Sequence, residues 1–223
     1  MNIGEADIQF LGHDGFLIIT PGGKRIIIDP YNVSPVVEPA DFILITHSHS
    51  DHCSIKDIGN ISKSGTIILT TPDAQSKITH IEGVEMQIIE SGDEITLGNI
   101  KIEAVPAYNI GKDFHPKSEG GIGYIIKMDK VIVYHAGDTD KIPEMQKLSG
   151  YGKHDNIFVA LLPVSGTYVM NAEEAADAAG MLNPYIAIPM HYGAGVAGNV
   201  EDANHFVSLC ESRNIAAKVL EKI

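Results

Sequence analysis

The sequence predicts an α+β fold in which two β-sheets pack face to face with helices on the outside. Short apolar or alternating runs, separated by turn residues, recur in both halves of the 223-residue chain. Helical patterns are inserted between these runs, and the Gly-rich turn at 21–23 indicates an early hairpin. A hydrophobic fraction of 44% is typical of a globular chain with a sizeable core.

The first half of the chain is predicted to be rich in β-structure. Its strands are expected over residues 8–11, 16–20, 24–28, 42–46, 66–71, 86–90, 94–97 and 100–105. Two short helices are expected over 55–61 and 72–78, and Pro72 suits the first turn of the second one.

The second half repeats this alternation. Strands are expected over residues 123–128, 131–135, 157–162, 185–189 and 216–220. Helices are expected over residues 141–148, 172–182 and 201–213. Asn171 and Glu174 form a capping-box pattern at the start of the middle helix. No segment has the composition of a flexible linker, so one domain over 1–223 is the simplest organisation.

Charge and composition restrict the partners. The formal net charge of -13, with no cluster of Lys or Arg, disfavours nucleic acid. No apolar run approaches the roughly 18 residues needed to cross a bilayer, and the start lacks a leader-like pattern. Cys53 and Cys210 are too few for a disulfide framework. We therefore expect a cytoplasmic protein with a small-molecule substrate and no membrane insertion; oligomeric state is open.

A cluster of metal-binding side chains follows the apolar run at 42–46. Side chains alternate along an extended strand, so His47 and His49 point the same way and can reach one ion. Asp51 and His52 come slightly later, where a second ion can lie. Imidazole and carboxylate suit zinc, and manganese or iron also fit these ligand types. A solvated loop of histidines is the alternative.

Further polar residues follow other buried strands. Asp29, after three isoleucines, can accept a hydrogen bond from a ligand histidine, although a plain strand stop is the alternative. Asp138, in a Gly-containing turn, can bridge two ions, and His191 leaves a buried strand into a Gly-rich loop. We expect His135 to pack in the core and Asp140 to cap a helix.

Asp29, the motif at 47–52, Gly137-Asp138-Thr139 and His191 resemble, in order and approximate separation, the metallo-β-lactamase superfamily of metal-dependent hydrolases. The resemblance covers essentially the whole chain. It implies a four-layer αββα sandwich with a one- or two-metal site in a cleft between the sheets. The sequence segments 105–109, 115–117 and 137–140 resemble those of the superfamily branch near ascorbate-6-phosphate lactonase and N-acyl-phosphatidylethanolamine phospholipase.

The sequence departs from this family at one ligand position. Tyr108 and Asn109 stand where the family usually has its third-motif histidine. His115, in a loop with Gly111, is the expected replacement; without it the first metal set is incomplete and the site is mononuclear. Related sequences often carry Gly-His where His13 stands, which suggests a substrate contact at the cleft mouth. A solvent-facing turn histidine is the alternative.

The resemblance implies two ligand sets joined by a bridging carboxylate. One ion is expected on His47, His49 and His115, and the other on Asp51, His52 and His191, with Asp138 between them. The expected cofactor is a pair of divalent ions. Zinc is the metal we expect, and manganese or iron also fits the ligand types. A metal-bound hydroxide would attack an ester, lactone, thioester or phosphodiester, and Asp51 would also relay a proton. A non-catalytic metal-binding or ligand-sensing protein of the same fold is the alternative.

Overall fold

The computed structural model describes residues 1–223 and contains a seven-stranded and a six-stranded sheet. The strands of the first sheet are β1 (Asn2–Ile3), β2 (Ala6–Gly12), β3 (Gly15–Ile19), β4 (Arg25–Ile28), β5 (Phe42–Leu44), β6 (Ile67–Thr70) and β7 (Glu85–Ile88). Those of the second sheet are β8 (Glu94–Leu97), β9 (Ile100–Pro106), β10 (Ile122–Met128), β11 (Val131–His135), β12 (Ile157–Pro163) and β13 (Ile186–Met190). The α-helices are α1 (Ile55–Ile61), α2 (Gln75–Ile78), α3 (Ala172–Leu182) and α4 (Val200–Ser212).

Both sheets are mixed, and their parallel parts determine where the site lies. The first sheet follows chain order, antiparallel from β1 to β4 and parallel from β4 to β7. The second has the order β13-β12-β11-β10-β9-β8 and is parallel from β11 to β13. The carboxyl ends of parallel neighbours lie at the same sheet edge, so the loops that leave β4 and β5 share one edge of the first sheet, and those that leave β11 and β13 share one edge of the second.

Alternation along β4 illustrates the layers. Ile26 and Ile28 belong to the large core between the sheets, whereas Ile27 faces the opposite way, into a smaller core shared with α1 and α2. On the other side, α3 and α4 pack on each other and over β12 and β13. The α+β fold and the four-layer αββα sandwich are confirmed. No helix is long and apolar enough to span a membrane.

Three element predictions are wrong in detail. The helix predicted over 141–148 is a 3₁₀ helix over 143–150, and it begins two residues late because Pro143 holds the preceding Ile142 in extended backbone. The helix predicted over 72–78 is shorter in the structure, where α2 begins only at Gln75. Residues 216–220 form no strand: they run beside β13 with one isolated bridge, between Ala217 and Ala187. The β1 strand was not predicted from the sequence.

Candidate metal centre

Three imidazoles converge in a first cluster. His47 and His49 leave the end of β5, and His115 arrives from the loop after β9. The Nδ1 atom of His49 lies 3.1 Å from His47 Nε2 and 3.0 Å from His115 Nε2. Two donors on one tetrahedral zinc ion with bonds of about 2.0–2.1 Å stand about 3.3 Å apart. The spacing of the three nitrogens therefore suits one ion.

A second cluster lies beside the first, with potential ligand atoms within 4.8 Å of one another on His13, Asp51, His52 and His191. The Oδ2 atom of Asp51 is 3.6 Å from His52 Nε2 and 3.0 Å from His13 Nε2. His13 was expected at the cleft mouth, but its side chain is completely buried and contacts Asp51 instead. The turn between β2 and β3 points inward because the His191 N–H donates to the His13 carbonyl.

Asp138 lies between the two clusters. Its Oδ2 atom is 3.4 Å from His115 Nε2 and 3.2 Å from His191 Nε2, while Oδ1 is 3.4 Å from His52 Nε2. The preceding Gly137 makes this approach feasible: its φ is 63°, and a Cβ there would lie 2.6 Å from the carbonyl oxygen of Ile122. One carboxylate thus faces both ligand sets.

Hydrogen bonds behind the rings fix their orientation on the first-sheet side. Asp29 accepts from the Thr46 N–H and hydroxyl at 2.9 and 2.6 Å, and its Oδ2 is 2.9 Å from His52 Nδ1. Because the Thr46 hydroxyl donates to Asp29, it accepts from His47 Nδ1 at 3.0 Å. The Nε2 atoms of His47 and His52 consequently face inward.

On the second-sheet side, the remaining imidazoles are oriented by similar bonds. His115 Nδ1 is 3.2 Å from the Tyr168 carbonyl oxygen, and His191 Nδ1 is 2.8 Å from Ser165 Oγ. Each contact lies on the ring edge opposite the Nε2 atom that faces Asp138. All seven residues predicted as metal ligands therefore meet in one cleft, and Asp29 lies directly behind them.

Asn109 explains how His115 reaches the cleft. The Asn109 N–H donates to the His115 carbonyl at 2.8 Å, and its side-chain amide donates to the carbonyls of Phe114 and Tyr168 at 2.8 and 2.5 Å. These bonds close the 109–115 loop and turn His115 back over the cleft. Asp140, expected to cap a helix, instead accepts from the Ile110 N–H at 2.8 Å and so holds the same loop.

Several site residues occupy left-handed backbone, which is uncommon for residues other than glycine. Asp29, His13, His115 and His191 have φ values of 42°, 55°, 54° and 61°. Such conformations cost energy and persist where surrounding contacts enforce them, often at functional sites. The clustering of four such residues is consistent with a site selected for its geometry.

Burial and opposite charges set the electrostatics. Burial lowers the pKa of His47 well below its usual range. Burial also opposes ionisation of Asp138, but the neighbouring His191 and His52 prevail and hold its pKa well below the usual value. For His191, burial is outweighed by Asp138, which raises the pKa to about 9. The centre is a tightly coupled set of charges.

A divalent cation fits this donor set. Asp138 Oδ1 and His52 Nε2 are buried and have no hydrogen-bond partner. Buried polar atoms are normally paired, and these face other ligand-type atoms rather than donors.

Asp14 was missed as a site residue, although both its oxygens are buried without partners. Its only signal in the sequence is a carboxylate next to His13 in a turn between two strands expected to be buried.

The cleft in front of the first cluster is polar, with a volume of about 380 Å³. It is lined by His47, Ser48, His49, Asp73, Ala107, His115, Pro116, Glu119, Gly121, Ile122 and Asp138. A neighbouring recess of about 230 Å³ opens between Phe114, Tyr168 and Val196. The aromatic rings of Phe114 and Tyr168 meet edge to face with centroids 4.7 Å apart. A ligand in the cleft would meet polar groups on one side and an aromatic pair on the other.

Comparisons with known proteins agree with this architecture. Residues 7–191 match the β-lactamase superfamily domain family. A UPF0173 metal-dependent hydrolase of Pyrococcus abyssi is 39% identical over 83% of this chain and 84% of its own. A crystal structure from Parabacteroides distasonis has a TM-score of 0.80 at 33% identity, covering 96% of this chain and 93% of that one.

The structure of Igni18, a metallo hydrolase from Ignicoccus hospitalis, has a TM-score of 0.75 at 26% identity and covers 96% of this chain and 94% of its own. These proteins match almost the full length of the sandwich. The match therefore includes the strand ends from which the ligand-type residues project. The chain belongs to the β-lactamase superfamily, within its metal-dependent hydrolases.

Proposed function

We propose that this metal-dependent hydrolase binds two divalent ions, with zinc as the preferred metal, and cleaves a small-molecule ester, lactone, thioester or phosphodiester. The single observation that carries the proposal is Asp138, whose Oδ2 atom faces His115 of one cluster and His191 of the other. The proposed ligands are His47, His49 and His115 for the first ion, Asp51, His52 and His191 for the second, and Asp138 for both.

When bound, the ions supply an activated water and polarise the bond to be broken. The protein holds the ligand nitrogens in place through Asp29 and Thr46, so little reorganisation is needed at the moment of reaction. Asp51 is partly accessible, and its Oδ2 atom accepts from His13 Nε2 at 3.0 Å. We propose that this carboxylate accepts the proton released from water, with His13 holding it in position.

The surroundings of the cleft favour a compact substrate with an apolar part. Asp73 and Glu119 line the cleft and repel strongly anionic substrates, in keeping with the net charge of -13. Phe114 is half exposed beside Tyr168 and offers a contact for an apolar group. These features support small substrates over nucleic acid, which we do not expect the protein to bind.

Metal content per chain, measured by plasma mass spectrometry after purification without chelators, tests this proposal. We expect two ions in the unaltered protein and about one in His115→Ala. His205→Ala, a change of a half-exposed histidine outside the centre, is the matched control and should retain two. Turnover is measured on an aryl ester, a lactone, a thioester and a bis-aryl phosphodiester.

One ion or none in the unaltered protein, unchanged by His115→Ala, would remove His115 from the site and contradict the two-ion proposal. Two bound ions without turnover on any of the four bond types would favour a non-catalytic metal-binding protein.

We further propose that residues 1–223 act as one cytoplasmic domain. The ligands come from loops of both sheets, and Cys53 and Cys210 are free thiols, as is usual in a reducing compartment.

A further inference from the structure

We propose that Asp14 is an additional ligand of the second ion, and that it makes this position an oxygen-rich site suited to a six-coordinate ion such as Mn²⁺. The inference rests on the proposed two-ion function and extends it to a residue outside the family's motif. Asp14 shares one ligand-sized cluster with His52, Asp138 and His191, in which all potential ligand atoms lie within 4.8 Å.

The contacts of the Asp14 carboxylate indicate a missing cation. Its side chain is completely buried, and neither oxygen has a hydrogen-bond partner. Oδ2 lies 3.4 Å from His52 Nε2 and 3.9 Å from His191 Nε2. A charge-assisted N–H···O bond is about 2.7–2.9 Å long, so these contacts are too long for one. They are close to the separation of two atoms that share a metal ion.

The chemistry of His52 leads to the same conclusion. Its Nδ1 atom already faces the Asp29 carboxylate at 2.9 Å, so Nε2 is the ring atom that faces Asp14 and Asp138, each at 3.4 Å. One ring nitrogen and two carboxylates thus face one another in a buried site without a hydrogen bond between them. A divalent cation between them satisfies all three groups at once.

The backbone of Asp14 is held in place from the second sheet. His135 Nε2 donates to the Asp14 carbonyl at 2.9 Å, and the Gly137 N–H donates to His135 Nδ1 at 3.3 Å. The neighbouring His13 carbonyl accepts from the His191 N–H at 2.9 Å. His135, expected only to pack, therefore connects the Asp14 turn to the turn that carries Asp138.

The two positions then differ in donor number and type. The first has three imidazoles and one Asp138 oxygen, a four-donor set that suits tetrahedral zinc. For the second we propose five protein donors, taken from two overlapping groups that share His52 and His191; the other three are the carboxylates of Asp14, Asp51 and Asp138. Adding one water gives six-coordination, and carboxylate and water ligands suit Mn²⁺ better than they suit zinc. We therefore expect the second position to discriminate less against Mn²⁺ than the first.

The test uses metal-free full-length protein first loaded with one equivalent of zinc. Mn²⁺ is then titrated, and free Mn²⁺ is measured by its electron paramagnetic resonance signal. We expect one Mn²⁺ per chain in the unaltered protein and at least a tenfold weaker affinity in Asp14→Asn, with zinc content unchanged. Asp57→Asn, a similarly buried carboxylate that holds the Asn32 and Val33 N–H groups, is the control and should keep the Mn²⁺ affinity.

Thermal unfolding of the metal-free proteins separates a ligand from a structural carboxylate. Replacing a buried carboxylate whose oxygens have no partner should leave the melting temperature of Asp14→Asn equal to or above that of the unaltered protein. The rise in melting temperature on adding Mn²⁺ should be smaller in Asp14→Asn than in the unaltered protein. A lower melting temperature without metal would assign Asp14 a structural role and overturn the inference.

Unchanged Mn²⁺ affinity in Asp14→Asn would also overturn the inference while leaving the two-ion function intact, provided His115→Ala still loses one zinc ion. If the unaltered protein binds one ion or none, the proposed function itself fails. A zinc-loaded protein that binds no Mn²⁺ would overturn the assignment of the second position to a six-coordinate ion.

Discussion

The Oδ2 atom of Asp29 lies 2.9 Å from Nδ1 of His52 and also accepts the Thr46 hydroxyl at 2.6 Å. One carboxylate therefore orients His52 directly and His47 through Thr46, which is 3.0 Å from His47 Nδ1. These two imidazoles belong to different ligand clusters. Asp29 thus couples the geometry of the two proposed metal positions from behind.

Asp29→Asn should weaken metal binding without preventing folding. Asparagine tolerates the φ of 42° at this position, but its amide cannot accept from His52 and Thr46 as the carboxylate does. We expect affinity for the second ion to fall about 10–100-fold. Calorimetric titration of the metal-free protein measures this change, with Asp57→Asn as the control. Affinity within twofold of the unaltered protein would remove Asp29 from its supporting role.

Removing the metals should destabilise the fold. Asp138 and His52 then keep buried atoms without partners, whereas bound ions stabilise the native state by mass action. At a free metal concentration 100 times the dissociation constant, the loss is about 2.7 kcal/mol, or about 5–10 °C in melting temperature. Scanning calorimetry before and after chelation measures it. The decrease should reverse with zinc and be smaller in His115→Ala; an unchanged melting temperature would argue against resident ions.

Gly137→Ala should destabilise the protein by about 1–3 kcal/mol. The left-handed φ of 63° opposes a side chain, and so does the Ile122 carbonyl oxygen, which would lie 2.6 Å from the added methyl carbon. Urea unfolding measures the free energy. Gly59→Ala in α1 is the matched control because no atom lies within 4 Å of its Cβ position; it should stabilise the helix by about 0.5–1 kcal/mol. Equal effects of the two changes would contradict the role given to Gly137.

Stability should depend on pH through Glu103 on β9. Burial opposes ionisation, but hydrogen bonds from Lys127 and Tyr151 prevail and lower the pKa of Glu103 below its usual value of 4.5. A lowered carboxyl pKa stabilises the folded state above pH 4.5, and this stabilisation is lost as pH falls through the folded pKa.

Glu103→Gln should therefore cost about 0.5–1 kcal/mol at neutral pH and progressively less as the solution becomes acidic. Urea unfolding across a series of buffers measures the difference between the two proteins. Glu82→Gln serves as an exposed control and should show no such trend. If the difference in unfolding free energy between the two proteins grew toward low pH instead, it would contradict a lowered pKa for Glu103.

The two thiols should be unreactive in the native state. Cys53 and Cys210 are buried, and burial raises the pKa of each to about 11. The thiolate is the reactive form, so few molecules are reactive at neutral pH. A thiol-specific disulfide reagent should modify neither cysteine in folded protein and both after denaturation. Fast modification of native Cys53 would show that the loop carrying His52 opens readily.

The sequence alone determined the strand pattern and the metal-binding motif, because both depend on local spacing. Strand alternation predicted that His47 and His49 reach one ion, and their ring nitrogens do converge at 3.1 Å, although β5 ends at Leu44 and both residues lie beyond the strand. The two facing sheets followed from strand and helix periodicity in the same way. Proline accounts for one local error, because the helix predicted from residue 141 begins at Pro143.

Only the tertiary structure decided which distant groups complete the centre. Asp14 and His135 are separated by 121 positions, yet their hydrogen bond fixes the turn that carries the buried carboxylate. Tyr108 and Asn109 stand where the family usually has a histidine, and the bonds that Asn109 makes within the 109–115 loop show how His115 reaches the cleft instead. No local periodicity encodes such contacts, because they depend on how two sheets and their loops pack in three dimensions.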